Sequence, residues 1–176
     1  MKKMNLITIL LAAGLSGCAS TSWQAKLKRE IPVYGHRNWI VVADSAYPRQ
    51  SAPGIETVYT DGSQLEVLRG VLADLEACRH IKPIILVDAE LRKVPEKDAP
   101  GVNDYREQLY KMLEGRQVKE MPHEEIISKL DQASKMFNVL ILKTDLTIPY
   151  TSVFLELDCG YWDAEREARL RSMIGK

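Results

Sequence analysis

The sequence predicts an α/β fold with a mixed, partly parallel sheet that is flanked by helices. Short apolar runs at Ile40–Val42, Ile84–Val87 and Val139–Leu142 are rich in β-branched residues and too short for buried helices. Such continuous runs are typical of strands that are covered on both faces. Between them, apolar residues recur at helical spacing over Gln64–Cys78. Strands that alternate with helices indicate a sheet with parallel strands.

Local signals predict the remaining elements along the chain. A short helix is expected over Ala25–Ile31, and Pro32 ends it. Ser63 and Glu66 have the capping-box spacing at the start of the Gln64 helix. The stretch Lys93–Gly101 is rich in charge, proline and glycine, and predicts a mobile surface loop. The other predicted elements are the strands Ile55–Thr60 and Val153–Leu157 and the helices Tyr105–Leu113, His123–Met136 and Asp163–Ile174.

Composition limits the classes of function. The 176 residues suit one domain with a proper core. The 24 basic and 24 acidic side chains balance, so the basic face that nucleic-acid binding needs is not expected. Glycine-rich phosphate loops, a G-x-S-x-G motif and a Cys/His metal cluster are missing from the sequence, and His123-Glu124 begins an H-E-x-x-H motif that lacks its second histidine. We therefore expect no metal, no cofactor and no nucleic-acid partner.

The first residues predict a targeting segment. A positively charged start precedes an apolar stretch, residues 6–15, that is too short to span a membrane as a mature helix. The sequence Leu15-Ser16-Gly17-Cys18 then resembles a bacterial lipoprotein signal, in which Cys18 is lipidated and becomes the mature N-terminus. An ordinary secretory signal that contains a cysteine is the alternative. In the lipoprotein pattern, the lack of aspartate after the cysteine implies the outer membrane, with the protein facing the periplasm.

These signals divide the chain into four parts. The predicted order is a signal peptide (1–17), a lipidated tether (18–23), a folded domain (24–160) and a C-terminal helical extension (161–176). Cys78 and Cys159 either pair in the oxidising envelope or remain buried thiols, and the sequence favours the thiols because a domain of this size does not need a disulfide.

Two segments carry the candidate functional residues. Gly35-His36 precedes the strand Ile40–Val42, and Asp44 and Pro48 follow it. Ligands of open α/β sheets bind at the carboxyl ends of strands, so Asp44 is a candidate binding residue. Far downstream, Pro149-Tyr150-Thr151-Ser152 leads into the last predicted strand.

Together these segments, in this order and spacing, resemble the ribose pyranase and fucose mutarotase family. Members of this family interconvert the ring forms and anomers of sugars without a cofactor. The resemblance covers roughly residues 24–160 and implies a homo-oligomer whose sites are completed by a neighbouring copy. It implies that His36 is the catalytic proton donor and that the sugar contacts are Asp44, His123, Tyr150, Thr151 and Ser152.

Three positions are unusual for that family. Ser152 stands where the family has asparagine, and Leu146 stands where it has glutamate. His123-Glu124 matches the ribose-type members, but His123 lies about one helical turn farther from Tyr150 than usual. Either the helix is extended or His123 only begins it.

The chemistry that the resemblance implies suits these residue types. Mutarotation needs one group that accepts a proton and another that donates one, and imidazole, with a pKa near 6.5, can do either. We therefore expect a monosaccharide mutarotase or pyranase that uses His-mediated proton transfer. The alternative is a non-catalytic envelope lipoprotein that uses the same fold as a carbohydrate-binding or assembly module. A weaker third alternative is a different hydrolase or isomerase in the same pocket.

Overall fold

The computed structural model describes residues 22–174, which form one six-stranded sheet and five α-helices. The predicted signal peptide and Cys18 lie outside these residues. The strands are β1 Trp39–Ala43, β2 Ile55–Tyr59, β3 Ile81–Asp88, β4 Val118–Met121, β5 Val139–Lys143 and β6 Val153–Cys159. The helices are α1 Trp23–Glu30, α2 Gln64–Glu76, α3 Val102–Met112, α4 His123–Ala133 and α5 Ala164–Ile174.

The sheet is mixed because one strand runs against the others. Its order is β2-β5-β1-β6-β3-β4, and β1, β2 and β5 are parallel to each other, as are β3 and β4. Strand β6 is antiparallel to both of its neighbours, β1 and β3. The carboxyl ends of the five parallel strands and the amino end of β6 therefore share one side of the sheet, which we call the carboxyl edge. The predicted fold class is confirmed.

Helices cover both faces of the sheet around β1. All five residues of β1 are buried, and alternate side chains enter two different apolar clusters. Ile40 and Val42 join the cluster made with α1, α2 and α3, whereas Trp39 and Val41 join the cluster made with α4. Burial on both faces explains why this strand reads as a continuous apolar run rather than as an alternation.

Two segments differ from the sequence prediction. The edge strand β4, Val-Lys-Glu-Met, was not predicted because half of its residues are charged and it carries no apolar run. The stretch predicted as a mobile loop follows a short 3₁₀ helix, Ala89–Lys93, and is tied back by a carboxylate. Glu96 accepts hydrogen bonds from the Gly101 and Asn103 N–H groups at 2.6 and 2.9 Å, which cap the start of α3. The loop is thus fixed by capping contacts.

Several smaller predictions are confirmed. Ser63 and Glu66 form the capping box of α2. Cys78 and Cys159 are free and partly buried. Helix α5 lies beyond the sheet with no buried residue. One boundary differs, because Trp23, predicted to belong to the tether, begins helix α1 and is buried. Among the described residues, no helix has the length and apolar content needed to cross a membrane.

Gly54 lies just before β2, where the neighbouring backbone packs too closely to leave room for a side chain. An added Cβ would lie 2.8 Å from the Ser134 carbonyl oxygen and 3.1 Å from the Phe137 carbonyl oxygen, and backbone atoms cannot rotate away. We expect Gly54→Ala to lower the free energy of unfolding by about 1–3 kcal/mol, as measured by urea denaturation. In the control variant Gly35→Ala, the added Cβ meets no described atom within 4 Å, so a change below about 0.5 kcal/mol is expected. Equal stability of the two variants would contradict this prediction.

Candidate functional site

A cavity of about 300 Å³ opens at the carboxyl edge of the sheet. Asp44, His123 and Tyr150 line it, together with apolar side chains that include Tyr47 and Ile127. Three sequence-predicted residues from distant parts of the chain therefore meet here. Asp44 directly follows β1, His123 is the first residue of α4, directly beyond β4, and Tyr150 lies just before β6.

Asp44 is held in place by Ser152. The Ser152 hydroxyl donates to Asp44 Oδ2 at 2.7 Å and accepts from the Asp44 N–H at 3.1 Å. The other carboxylate oxygen, Oδ1, accepts from the Ala46 N–H at 2.9 Å. Ser152 is only 2 % exposed and is not among the residues that line the cavity. In this chain its hydroxyl orients Asp44.

Thr151 lies on a buried polar network beneath the cavity. Its carbonyl accepts hydrogen bonds from the Gln64 side-chain amide and from the Tyr105 hydroxyl, the latter at 2.8 Å. The Thr144 hydroxyl donates to Gln64 Oε1 at 3.1 Å, and the Thr151 hydroxyl donates to the Ile148 carbonyl at 2.6 Å. Buried polar groups need such partners, so this network fixes the loop that carries Tyr150. No periodicity or motif in the sequence singles out Gln64 or Tyr105.

Tyr150 adopts a left-handed backbone conformation, with φ at +59°. Residues other than glycine rarely occupy this region, and they persist there where the surrounding structure enforces it. Its ring meets the His123 ring edge to face, with 5.7 Å between the centroids and 79° between the planes. The side chain remains 39 % exposed at the mouth of the cavity. The Thr151 network thus places an aromatic ring over His123.

His123 is held at two points by acidic residues, one at the end of β3 and one just beyond it. Its N–H donates to both Glu90 carboxylate oxygens at 3.1 Å, which caps α4 where Pro122 offers no side-chain cap. Its Nδ1 atom lies 3.0 Å from Asp88 Oδ2. Asp88 and Glu90 were not predicted from the sequence. Asp88, however, ends an apolar strand at the carboxyl edge, and Asp44 directly follows another. An acidic residue at the carboxyl end of an apolar strand was therefore a usable sequence signal for a site residue.

Asp88 is a fully buried carboxylate, which is uncommon in proteins. Its side chain has no exposed surface, and its Oδ1 atom has no hydrogen-bond partner among the residues described. Burial raises the pKa of the Asp88 carboxyl to about 6, His123 acts in the opposite direction, and the nearby Glu90 and Asp44 carboxylates add to the increase. Among the described residues, no group of three or more His, Cys, Asp or Glu side chains is arranged to hold a metal ion.

His36 lies away from this cavity. It precedes β1, whereas Asp44 follows it, so the two residues are at opposite ends of a strand about 17 Å long. The chain does turn before β1, with Arg37 at φ +77° and the Asn38 N–H donating to the Gly35 carbonyl. The His36 side chain is 56 % exposed, and its Nδ1 is 3.3 Å from Asp158 Oδ1. Within one chain, the turn does not bring His36 to Asp44.

Asp88→Asn should stabilise the fold at high pH. Because the folded-state pKa is above the unfolded value of about 4, the folded protein holds this proton more tightly. The stability contribution is therefore complete below pH 4 and is lost as the pH rises through about 6. Two pKa units correspond to about 3 kcal/mol. We expect urea denaturation at pH 8 to show Asp88→Asn more stable than wild type by up to about 3 kcal/mol, with the difference shrinking towards pH 4.

The exposed Asp98 provides the control for that measurement. Asp98→Asn makes the same chemical change at the surface and should alter stability by less than about 0.5 kcal/mol at either pH. A destabilised Asp88→Asn protein at pH 8 would show that the carboxylate contributes more as an ionised partner than its burial costs.

Solved structures share this fold at low sequence identity. The structure of Bacillus subtilis RbsD complexed with D-ribose is 18 % identical, with a TM-score of 0.52, and the match covers 90 % of this chain and 98 % of that one. FucU from Bifidobacterium longum is 16 % identical, with a TM-score of 0.50, and the match covers 76 % and 93 % of the two chains. A fucose mutarotase in complex with L-fucose from Streptococcus pneumoniae is 20 % identical, with a TM-score of 0.49 and coverage of 76 % and 91 %.

The family comparison covers most of the folded domain. No curated protein matches the chain significantly. The model of the RbsD / FucU transport protein family matches residues 20–159, which span all six strands and end before α5. The chain belongs to the RbsD/FucU family.

Proposed function

We propose that the protein is a monosaccharide mutarotase or pyranase that works by histidine-mediated proton transfer. The observation that carries the proposal is the grouping of Asp44, His123 and Tyr150 around one cavity at the carboxyl edge. Family membership supports it, and so does the D-ribose bound to the B. subtilis relative with this fold.

The reaction opens and recloses the sugar ring with the help of proton transfers, and it adds no group to the sugar and removes none. The anomeric hydroxyl loses a proton, the bond between the anomeric carbon and the ring oxygen breaks, and the ring oxygen gains a proton. The open-chain aldehyde then closes on its other face, or on another hydroxyl to change the ring size. Positioned proton transfer contributes about 10²–10⁴-fold, and no co-reactant is consumed.

The cavity suits a monosaccharide in size and lining. Its volume of about 300 Å³ is at the small end of ligand pockets. A carboxylate has about four acceptor sites, so Asp44 retains capacity for sugar hydroxyls after its contacts with Ser152 and Ala46. The rings of Tyr150 and Tyr47 offer apolar surface to the C–H faces of a sugar.

We assign His36 a role in the cavity of a second copy of the chain. The family resemblance assigns His36 the role of proton donor, yet in its own chain the length of β1 separates His36 from Asp44. We therefore propose a homo-oligomer in which His36 of one copy reaches the cavity of the next. His36 is 56 % exposed, so it is accessible for such a contact.

One observation favours a non-catalytic carbohydrate-binding or assembly module instead. Leu146 replaces the glutamate of the family, and its side chain packs against the apolar cluster under α2 and α3. Its backbone contacts the site region: the carbonyl accepts the Ser45 N–H at 2.9 Å, and the N–H donates to the Thr144 hydroxyl at 3.5 Å. The acidic group that the family keeps at this position is therefore missing, and the neighbouring Asp145 accepts from the Tyr59 hydroxyl at 2.8 Å.

Exchange between sugar anomers tests the proposal. Saturation-transfer NMR over a panel of pentoses and hexoses should show exchange above the buffer rate with the wild-type protein. His36→Ala should lower the exchange rate by about 10²-fold or more with the fold intact, and Asp44→Asn should chiefly weaken sugar binding. Sugar binding by the wild-type protein without exchange above buffer would select the binding module.

Mixed oligomers test whether copies share a site. His36→Ala and His123→Ala proteins are unfolded together and refolded as a mixture. Random assembly leaves about one site in four with both histidines intact, so the mixture should regain exchange that neither variant has alone. A strictly monomeric wild-type domain by light scattering at micromolar concentration would exclude the shared site.

The envelope location is part of the same proposal. A chain whose Cys18 is acylated should fractionate with the outer membrane, and Cys18→Ser should move it to the soluble fraction. Mass spectrometry of the purified wild-type protein should find a lipid-modified Cys18 as the first residue. Recovery of soluble wild-type protein with Met1 intact would contradict the anchor.

A further inference from the structure

A buried carboxylate lies directly behind the histidine of the cavity. Asp88 Oδ2 is 3.0 Å from His123 Nδ1, on the side of the ring away from solvent. The Asp88 side chain has no exposed surface, and its hydrogen-bond partner in the described part of the chain is His123. The carboxylate is therefore positioned to act on this one ring.

We propose that Asp88 is a positioning residue, which holds His123 in the tautomer that carries its proton on Nδ1 and leaves the Nε2 lone pair for a sugar hydroxyl in the cavity. This inference rests on the proposed function, because the sugar is the partner assigned to Nε2. It adds a residue that neither the sequence motifs nor the family resemblance assigned.

Three contacts fix the ring without using Nε2. Glu90 anchors the backbone N–H of His123, Asp88 takes Nδ1, and the Tyr150 ring packs edge to face against the imidazole. His123 also lines the cavity, and its side chain is 32 % exposed. A carboxylate that accepts from one ring nitrogen determines which nitrogen is free to act as a base.

The assigned tautomer gives His123 a defined step. The Nε2 lone pair takes the proton of the anomeric hydroxyl as the bond between the anomeric carbon and the ring oxygen breaks. The ring oxygen takes its proton from the donor, which the proposed function assigns to His36 of a neighbouring copy. The imidazole ring then carries a positive charge, and the Asp88 carboxylate stabilises it at 3.0 Å. When the aldehyde recloses, the attacking sugar hydroxyl gives its proton back to the donor, and Nε2 returns the other proton to the new anomeric hydroxyl. The protein is therefore unchanged after each cycle.

The tautomer can be measured directly in the sugar-free protein. Long-range ¹H–¹⁵N correlation spectra distinguish a protonated ring nitrogen from one with a free lone pair. At a pH where the imidazole is neutral, wild-type His123 should show a protonated Nδ1 and a free Nε2. Asp88→Asn should shift this population towards the other tautomer, whereas Asp98→Asn should leave it as in wild type.

Kinetics connect the tautomer to exchange. Asp88→Asn should lower the maximal anomer-exchange rate by at least about tenfold, with the sugar concentration at half-maximal rate changed less than about threefold. Asp88→Glu keeps the carboxylate and should restore part of the rate, and Asp98→Asn should match wild type. A merely structural role would instead weaken both variants through loss of folded protein, which thermal unfolding would detect.

Each outcome decides between the two proposals. A free Nδ1 and protonated Nε2 in the wild-type protein would overturn the positioning role, whatever the activity. Full exchange by a folded Asp88→Asn protein would also overturn it and would leave the mutarotase proposal standing. Wild-type protein with the expected tautomer but no exchange with any sugar would instead remove the mutarotase proposal and the catalytic step of His123.

Discussion

The reversed direction of β6 is the constraint on which the candidate site depends. β6 lies between β1 and β3 and is antiparallel to both, so its first residue, Val153, pairs with Val42 and Val87 near their carboxyl ends. The loop before β6 therefore reaches the same edge as the residues after β1, β3 and β4. If β6 ran parallel to its neighbours, Tyr150 and Ser152 would be at the opposite edge, far from Asp44.

The carboxyl edge concentrates features that a fold would avoid for stability alone. Asp88 buries a carboxylate whose pKa is raised to about 6, Tyr150 holds a left-handed conformation, and Gln64 is a buried amide that needs several partners. Neighbouring groups offset part of the energetic cost of each feature, as His123 does beside the buried Asp88 carboxylate. Natural proteins keep such costs where function needs a fixed geometry, which agrees with a site at this edge.

The sequence predicts the parts of this structure that depend on local patterns. Apolar runs locate β1, β3 and β5, the Ser63 spacing locates the start of α2, and motifs locate Asp44 and Tyr150. The pairing of Asp88 with His123 joins two residues that are 35 positions apart in the chain, and no local pattern encodes such a contact. The partner of the Ser152 hydroxyl likewise depends on the arrangement of β1 beside β6. Strand β4 was not predicted because an edge strand needs little apolar surface.

The position of β6 in the sheet also has a consequence for the order in which the protein can fold. β6 is the last strand along the chain, yet it is central and joins β2-β5-β1 to β3-β4. A chain emerging from the ribosome therefore holds two half-sheets with no ladder between them until residues 153–159 are available. The completed domain therefore forms only after β6 has been synthesised. Contacts over such long sequence separations also slow folding. Until β6 is in place, the cavity does not exist.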